Sequence, residues 1–456
     1  MSKAIYRVLP AAVQDTSPLS ETLISFLRFL SPAFIRYVLK VDSVQIMGTE
    51  KLVNSFHDFQ DGNSRLMLVF RHPYGEEPQI LGHTILNVLP KAARRLGNPL
   101  KHKTHAHFIH GYEVPLWSPP PIGWLLPRAG ALPVHHSKLD SKGLSRLRST
   151  MLDGPYPLAL APEGQVSYSS QSLPRMERGF AHIGLWCADD LEKAGRKEQV
   201  SILPLSIHYN YGKRGPKILE KALSLLEHEC SIIPSSSNPI QRLKEAAHAI
   251  VQSAENFYAE LKRQKLQTTH NSDHINKTLK ERWEHILEIA LETAEKTLNI
   301  PNNGDIITRV YNIRQCCWDR IYRPFDKNLS PLERRLQDRE AGEAYLAMRH
   351  METVDIGWYI DFDANIEKDS VDLLIERALN YVDVTNRLQG GNLTNRPNLG
   401  KKKVCFVVGT PIDIRSRSNL LGQDRKTQID LLAGELEKEF LNCIDIYQKE
   451  HQNGKQ

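Results

Sequence analysis

The chain has 456 residues, 41% of them hydrophobic and 25% charged, a globular composition with room for two domains that excludes a disordered chain. The formal net charge of +6 is too small an excess to define a nucleic-acid binder and suits approach to anionic lipid or an acidic carrier. Six scattered cysteines with no CxxC pair exclude a zinc or disulfide framework and point to a reducing compartment.

Residues 1–15 lack the apolar core of a secretory signal, so a cytoplasmic location is expected. Residues 1–45 form an expected N-terminal membrane-interface segment. Within it, "LSETLISFLRFLSPAFIRYVLK" (19–40) places Leu23, Phe26, Leu27 and Leu30 at helical spacing, and Pro32 is expected to break or kink the run. No uninterrupted apolar stretch reaches the ~20 residues that span a bilayer. Arg28, Arg36 and Lys40 face a single acid, Glu21. The segment therefore reads as a core helix or as a helix lying in a membrane interface with its arginines toward lipid phosphates. "VPLWSPPPIGWLLP" (114–127) carries two tryptophans and five prolines. It is expected to form a loop at the headgroup level.

From 46 to 210, short apolar runs alternate with helical patterns. Strands are expected at Leu66–Phe70, Ala106–Ile109, Ala131–His135, Leu158–Ala161 and Ile202–His208, and helices at 78–96, 138–151 and 178–193. This alternation predicts an α/β domain with a mainly parallel sheet flanked by helices. Residues 211–400 change character and read as a helical addition, with helices at 216–232, 238–264, 272–298, 305–321, 331–353 and 369–387. Residues 401–450 return to the core through the strand-like "KKKVCFVVGTPIDI" and a helix from 425 to 447, with Lys401–Lys403 read as a solvated edge.

"VFRHPYGEEPQ" (69–79) presents His72 directly after an apolar run, with Glu76 and Glu77 within five positions. Imidazole titrates near neutrality and can take a hydroxyl proton, and a carboxylate can fix its tautomer and stabilise its cation. On a helix the residue four positions on is the closer neighbour, which favours Glu76. Pro73 and Gly75 argue against a regular helix and leave Glu77 open. Three further elements end apolar runs: "GALPVHH" (130–136), "APEGQ" (161–165) and "ILPLSI" (202–207).

In this order the four elements resemble the motifs of the glycerolipid acyltransferase superfamily, exemplified by 1-acyl-glycerol-3-phosphate acyltransferases. The resemblance covers roughly residues 50–210, with "VVGTPIDI" (407–414) as the family's return strand. It implies His72 as the general base, with Glu77 in the place of the family's aspartate. It implies an acceptor site built from Gly130, His136, Pro162, Glu163, Gly164, Arg178 and Pro204, in which Glu163 accepts from a hydroxyl. His136 and Val166 stand where the family has arginines, and Ser167 at its serine. Arg71, Lys138, Arg175 or Arg178 are the cations that could replace the missing pair; otherwise the acceptor carries no phosphate. The activity implied is transfer of a fatty acyl group from acyl-CoA or an acyl carrier protein to a lipid hydroxyl. The thioester serves as co-substrate, and no cofactor is bound. The partners implied are a lipid acceptor and the cytoplasmic face of a membrane, with no nucleic acid. The rival reading is a catalytically decayed acyltransferase-like domain that binds membranes. His105 and His107 alternate on one strand face as a metal pair would, but no acidic or cysteine partner accompanies them and no metal is expected.

Overall fold

The computed structural model describes residues 5–11, 17–135, 140–263, 277–324, 326–391, 396–417 and 422–453. The chain divides into two compact units, Gln14–Gly212 with Lys401–Gln456 and Met1–Val13 with Lys213–Gly400. The strands, in chain order, are β1 (Leu9–Pro10), β2 (Val41–Met47), β3 (Ser64–Phe70), β4 (His107–Gly111), β5 (Leu132–Val134), β6 (Leu158–Leu160), β7 (Gln199–Asn210), β8 (Tyr322–Arg323), β9 (Lys402–Val408) and β10 (Ile412–Asp413).

The first unit is α/β. Its sheet runs β2-β9-β7-β3-β6-β4-β5, with β10 beside β7. β7, β3, β6, β4 and β5 are parallel to one another, while β9 runs antiparallel to β7 and carries β2 parallel to itself. β3 lies at the centre and is apolar without a break from Leu66 to Phe70, as a strand covered on both faces should be. Its side chains alternate between two layers. Leu66, Leu68 and Phe70 pack with Phe56 of the helix Thr49–Gln60 and with Ile80, Ile85 and Leu89. Met67 and Val69 pack with Phe180, Leu185, Leu436 and Phe440. β2 was not expected from the sequence, since polar Asp42, Ser43 and Gln45 obscure it; it forms because β9 offers it a parallel partner.

The N-terminal helix runs Glu21–Ala33 and continues as a π-helical turn, Phe34–Val38, so Pro32 does not break it. Proline has no N–H for the carbonyl four residues back. That carbonyl, Arg28 O, instead accepts from Asn87 Nδ2 at 3.1 Å. Ile24 and Ile35 face the protein, while Phe26, Phe29, Leu30, Phe34, Tyr37 and Val38 are exposed. Residues 114–128 are not the expected loop. They form two short helices, Val114–Trp117 and Pro120–Arg128, because Pro115 and Pro120 stand in first turns, where no N–H is needed.

The second unit is helical: Gly215–Cys230, Pro239–Arg263, Leu279–Leu298, Ile306–Ile321, Pro331–Gly357 and Val371–Leu388. Thr278 and Ser330 close capping boxes with Glu281 and Glu333. β1 pairs with β8, which joins residues 9–10 to this unit rather than to the N-terminal helix.

Candidate active site

β3, β6 and β7 are parallel, so the segments that follow β3 and β6 emerge at the same edge of the sheet. His72 stands two residues past β3. Glu77 opens the helix Glu77–His83, where Pro78 needs no donor and the helix N-terminus favours a negative charge. His72 Nδ1 lies 2.7 Å from Glu77 Oε2. A carboxylate only accepts, so this nitrogen carries the proton and Nε2 carries the lone pair. The His72 side chain is 18% exposed while that of Glu77 is fully buried.

The loop between them is arranged around the Glu77 carboxylate. Tyr74 and Gly75 each donate a backbone N–H to it at 2.8 Å. Gly75 has φ +95°, a conformation that favours glycine and turns its N–H inward. The Tyr209 phenol, at the far end of β7, donates to Oε1. Glu76 faces elsewhere and pairs with Lys402. The choice between the two glutamates, open on local spacing, therefore falls to Glu77.

These contacts set the titration of the pair. Burial alone would lower the His72 pKa. The hydrogen bond and charge of Glu77, reinforced by Glu163, outweigh it and leave it raised above the ordinary 6.5. Burial alone would raise Glu77, but the His72 hydrogen bond and charge and the Tyr209 phenol hold it below its usual value. The pair is poised as an imidazole base backed by an ionised carboxylate.

The Pro-Glu-Gly segment meets the His72 loop through Glu163. Its carboxylate is buried. One oxygen pairs with Arg71 Nε and the other accepts from the His72 N–H at 2.7 Å. With both oxygens engaged and the carboxylate buried, Glu163 ties the His72 backbone to Arg71. Ser167 completes the junction by donating its N–H to His72 O at 2.9 Å. Gly164, at φ +71°, turns the chain between them.

Other expected acceptor residues also fall differently. Gly130 lies at the start of β5, the opposite edge of the sheet from His72, and its carbonyl is 2.8 Å from His107 Nδ1. It is a turn glycine with φ +74°. Pro162 is buried and its carbonyl accepts from the Glu177 N–H. Pro204 pairs in register with Val69, and its carbonyl accepts from Gly409 N at 2.9 Å, where the chain turns between β9 and β10. Its missing N–H falls at that interruption, which is how a proline is tolerated inside the sheet. His136 and Lys138 lie outside the described residues.

Among the candidate phosphate cations, Arg71 is fully buried and bonded to Glu163 and to the carbonyls of Ser169 and Ser172. Arg178 pairs with Asp430. Arg175 is exposed. Val166 sits beside the His72 loop: a Cβ on Gly75 would lie 3.5 Å from its Cγ2. The expected arginine position is thus at the site but holds no charge.

Sequence reasoning missed Tyr209, which is 132 positions from Glu77, and Lys402, whose side chain is only 6% exposed. The signal for Lys402 lay in strand alternation: Lys401 and Lys403 point out and Lys402 points in. Each of His105 and His107 spends one nitrogen on a backbone carbonyl, Ala129 O and Gly130 O respectively. Among the described residues no group of three or more His, Cys, Asp or Glu side chains could hold a metal, and no helix is long and apolar enough to cross a membrane. The sequence matches no protein-family model and no curated protein.

Proposed function

We propose that the α/β unit is an O-acyltransferase of the glycerolipid acyltransferase type, moving a fatty acyl group from a thioester of coenzyme A or acyl carrier protein to the hydroxyl of a lipid. The observation that carries this reading is the His72–Glu77 pair, whose Nε2 has no hydrogen-bond partner among the described residues while Nδ1 is held by a buried carboxylate. In the reaction His72 Nε2 takes the proton of the acceptor hydroxyl as its oxygen attacks the thioester carbonyl. Collapse of the tetrahedral intermediate breaks the C–S bond, the imidazolium returns the proton to the leaving thiolate, and the products are a lipid ester and a thiol. Glu77 stabilises the imidazolium in between.

Two observations shape the substrates. Val166 at the loop, with Arg71 buried against Glu163, favours an acceptor without a phosphate monoester, because a guanidinium fork grips phosphate and an isopropyl group does not. The exposed row Phe26, Phe29, Leu30, Phe34 and Tyr37 follows the i, i+3, i+4 spacing of one helix face, with Arg28 and Arg36 beside it. That is the pattern of a helix lying in a membrane interface. We place the protein on the cytoplasmic face of a membrane by this surface.

The test is incubation of purified protein with labelled acyl thioester and a panel of lipid alcohols. Labelled lipid ester is the expected product. Free fatty acid alone would mean a hydrolase. No turnover with any acceptor would favour a decayed, membrane-binding domain.

A further inference from the structure

Glu76 and Glu77 are adjacent carboxylates competing for few donors. Glu77 takes His72 Nδ1, the N–H groups of Tyr74 and Gly75, and the Tyr209 phenol. A phenol has one proton and can commit it to one carboxylate, and both glutamates act electrostatically on Tyr209. What separates them is Lys402. It pairs with Glu76 and lies 5.4 Å from the ring centre of Tyr209 and 6.0 Å from that of Tyr74. The two rings are 4.1 Å apart.

A lysine is out of place here on packing grounds. Along β9 it shares a face with Val404, Phe406 and Val408, all part of the apolar core. A buried ammonium is costly unless paired, and an apolar side chain would serve the strand better.

We infer that Lys402 and Tyr209 are positioning residues for the His72–Glu77 pair: Lys402 engages Glu76 so that the Tyr209 phenol is left to Glu77. The kinetic consequence rests on the acyl-transfer reading; the consequence for His72 itself does not. Neither residue touches substrate in this scheme. Tyr209 fixes the Glu77 carboxylate against His72, and Lys402 acts through Glu76.

The test compares wild type with Tyr209→Phe, Lys402→Met and the double variant Lys402→Met/Glu76→Gln, by acyl-transfer kinetics and by NMR titration of the His72 imidazole. Tyr209→Phe should lower kcat about tenfold with KM unchanged, the scale of one hydrogen bond to a charged group. It should also raise the His72 pKa, because Glu77 then keeps more of its charge for the imidazole. Lys402→Met should do the same in both readouts. The double variant, which removes the competing carboxylate, should recover wild-type kcat to within about threefold and return the pKa to its original value. Lys402→Gln serves the same comparison if the methionine variant does not fold. A double variant no better than Lys402→Met, or a His72 pKa unmoved across the set, would overturn the inference. If wild type transfers no acyl group, the reaction assignment fails, and the titration still decides the positioning claim.

Discussion

His72 Nδ1 lies 2.7 Å from Glu77 Oε2, while Glu76, one residue earlier, turns to Lys402. The two glutamates are neighbours in sequence and have different partners. Glu77→Gln removes the charge that stabilises the imidazolium and should lower kcat/KM by about 10²-fold, within the range of a lost acid–base contribution. Glu76→Gln should cost less than about tenfold, since its partner is not the base. Rate measurements on the two single variants check this, and a larger loss at Glu76 would reverse the assignment.

The acceptor preference follows from Val166. Losing a charge-assisted hydrogen bond forfeits ~1.5–3 kcal/mol, or roughly tenfold or more in affinity. Wild type should therefore show little preference for lysophosphatidic acid over a neutral lipid alcohol. Val166→Arg should shift the ratio of kcat/KM toward the phosphate ester, since position 166 lies against the Gly75 turn of the loop. A wild-type preference of about a hundredfold for lysophosphatidic acid would show that another cation reaches the phosphate.

How much of this was legible in the sequence depended on the range of the interaction. The α/β alternation and the central strand Leu66–Phe70 follow from runs of apolar residues, which are local. The proximity of His72 to a carboxylate was also local, but the choice between two glutamates was not. It depends on Tyr209, 132 positions from Glu77, and on Lys402, which lies further away still. Glu163 was expected to face substrate because the family resemblance implied an acceptor role for the Pro-Glu-Gly segment. Its burial follows from Arg71, whose own charge needed a partner inside. Pro32 was expected to break or kink its helix, and Asn87 from a different helix satisfies the carbonyl that the proline leaves open.

The N-terminal helix predicts a membrane test that leaves the core intact. Deleting it would strip Ile24 and Ile35 from their buried contacts, so substitution on the outer face is the cleaner perturbation. Phe29 is 80% and Tyr37 74% exposed. Each buried aromatic side chain contributes ~1.5–3 kcal/mol to an apolar environment. Phe29→Asp/Tyr37→Asp should reduce binding to anionic liposomes by at least about tenfold in a sedimentation assay, with the thermal midpoint little changed. Binding that survives both substitutions would place the contact elsewhere.

Two histidines give opposite pH signatures. His72 has a raised pKa, so kcat/KM should climb with pH through a value above 6.5, and Glu77→Gln should move that inflection down by leaving burial opposed only by the charge of Glu163. His105 is buried edge-on to Tyr156 and its pKa is lowered to about 4. A histidine depressed in the folded state stabilises the fold above the unfolded value of 6.5 and loses that stabilisation as pH falls toward 4. By about pH 5 this loss is on the order of 2 kcal/mol. Urea midpoints measured at about pH 7 and 5 should fall in wild type and fall less in His105→Gln.

The most direct test of the catalytic assignment is the rate of labelled lipid-ester formation by wild type and His72→Ala under identical conditions. The account predicts that His72→Ala loses at least about 10²-fold in kcat/KM while remaining folded. Near-wild-type turnover in that variant would contradict it, whatever the acceptor.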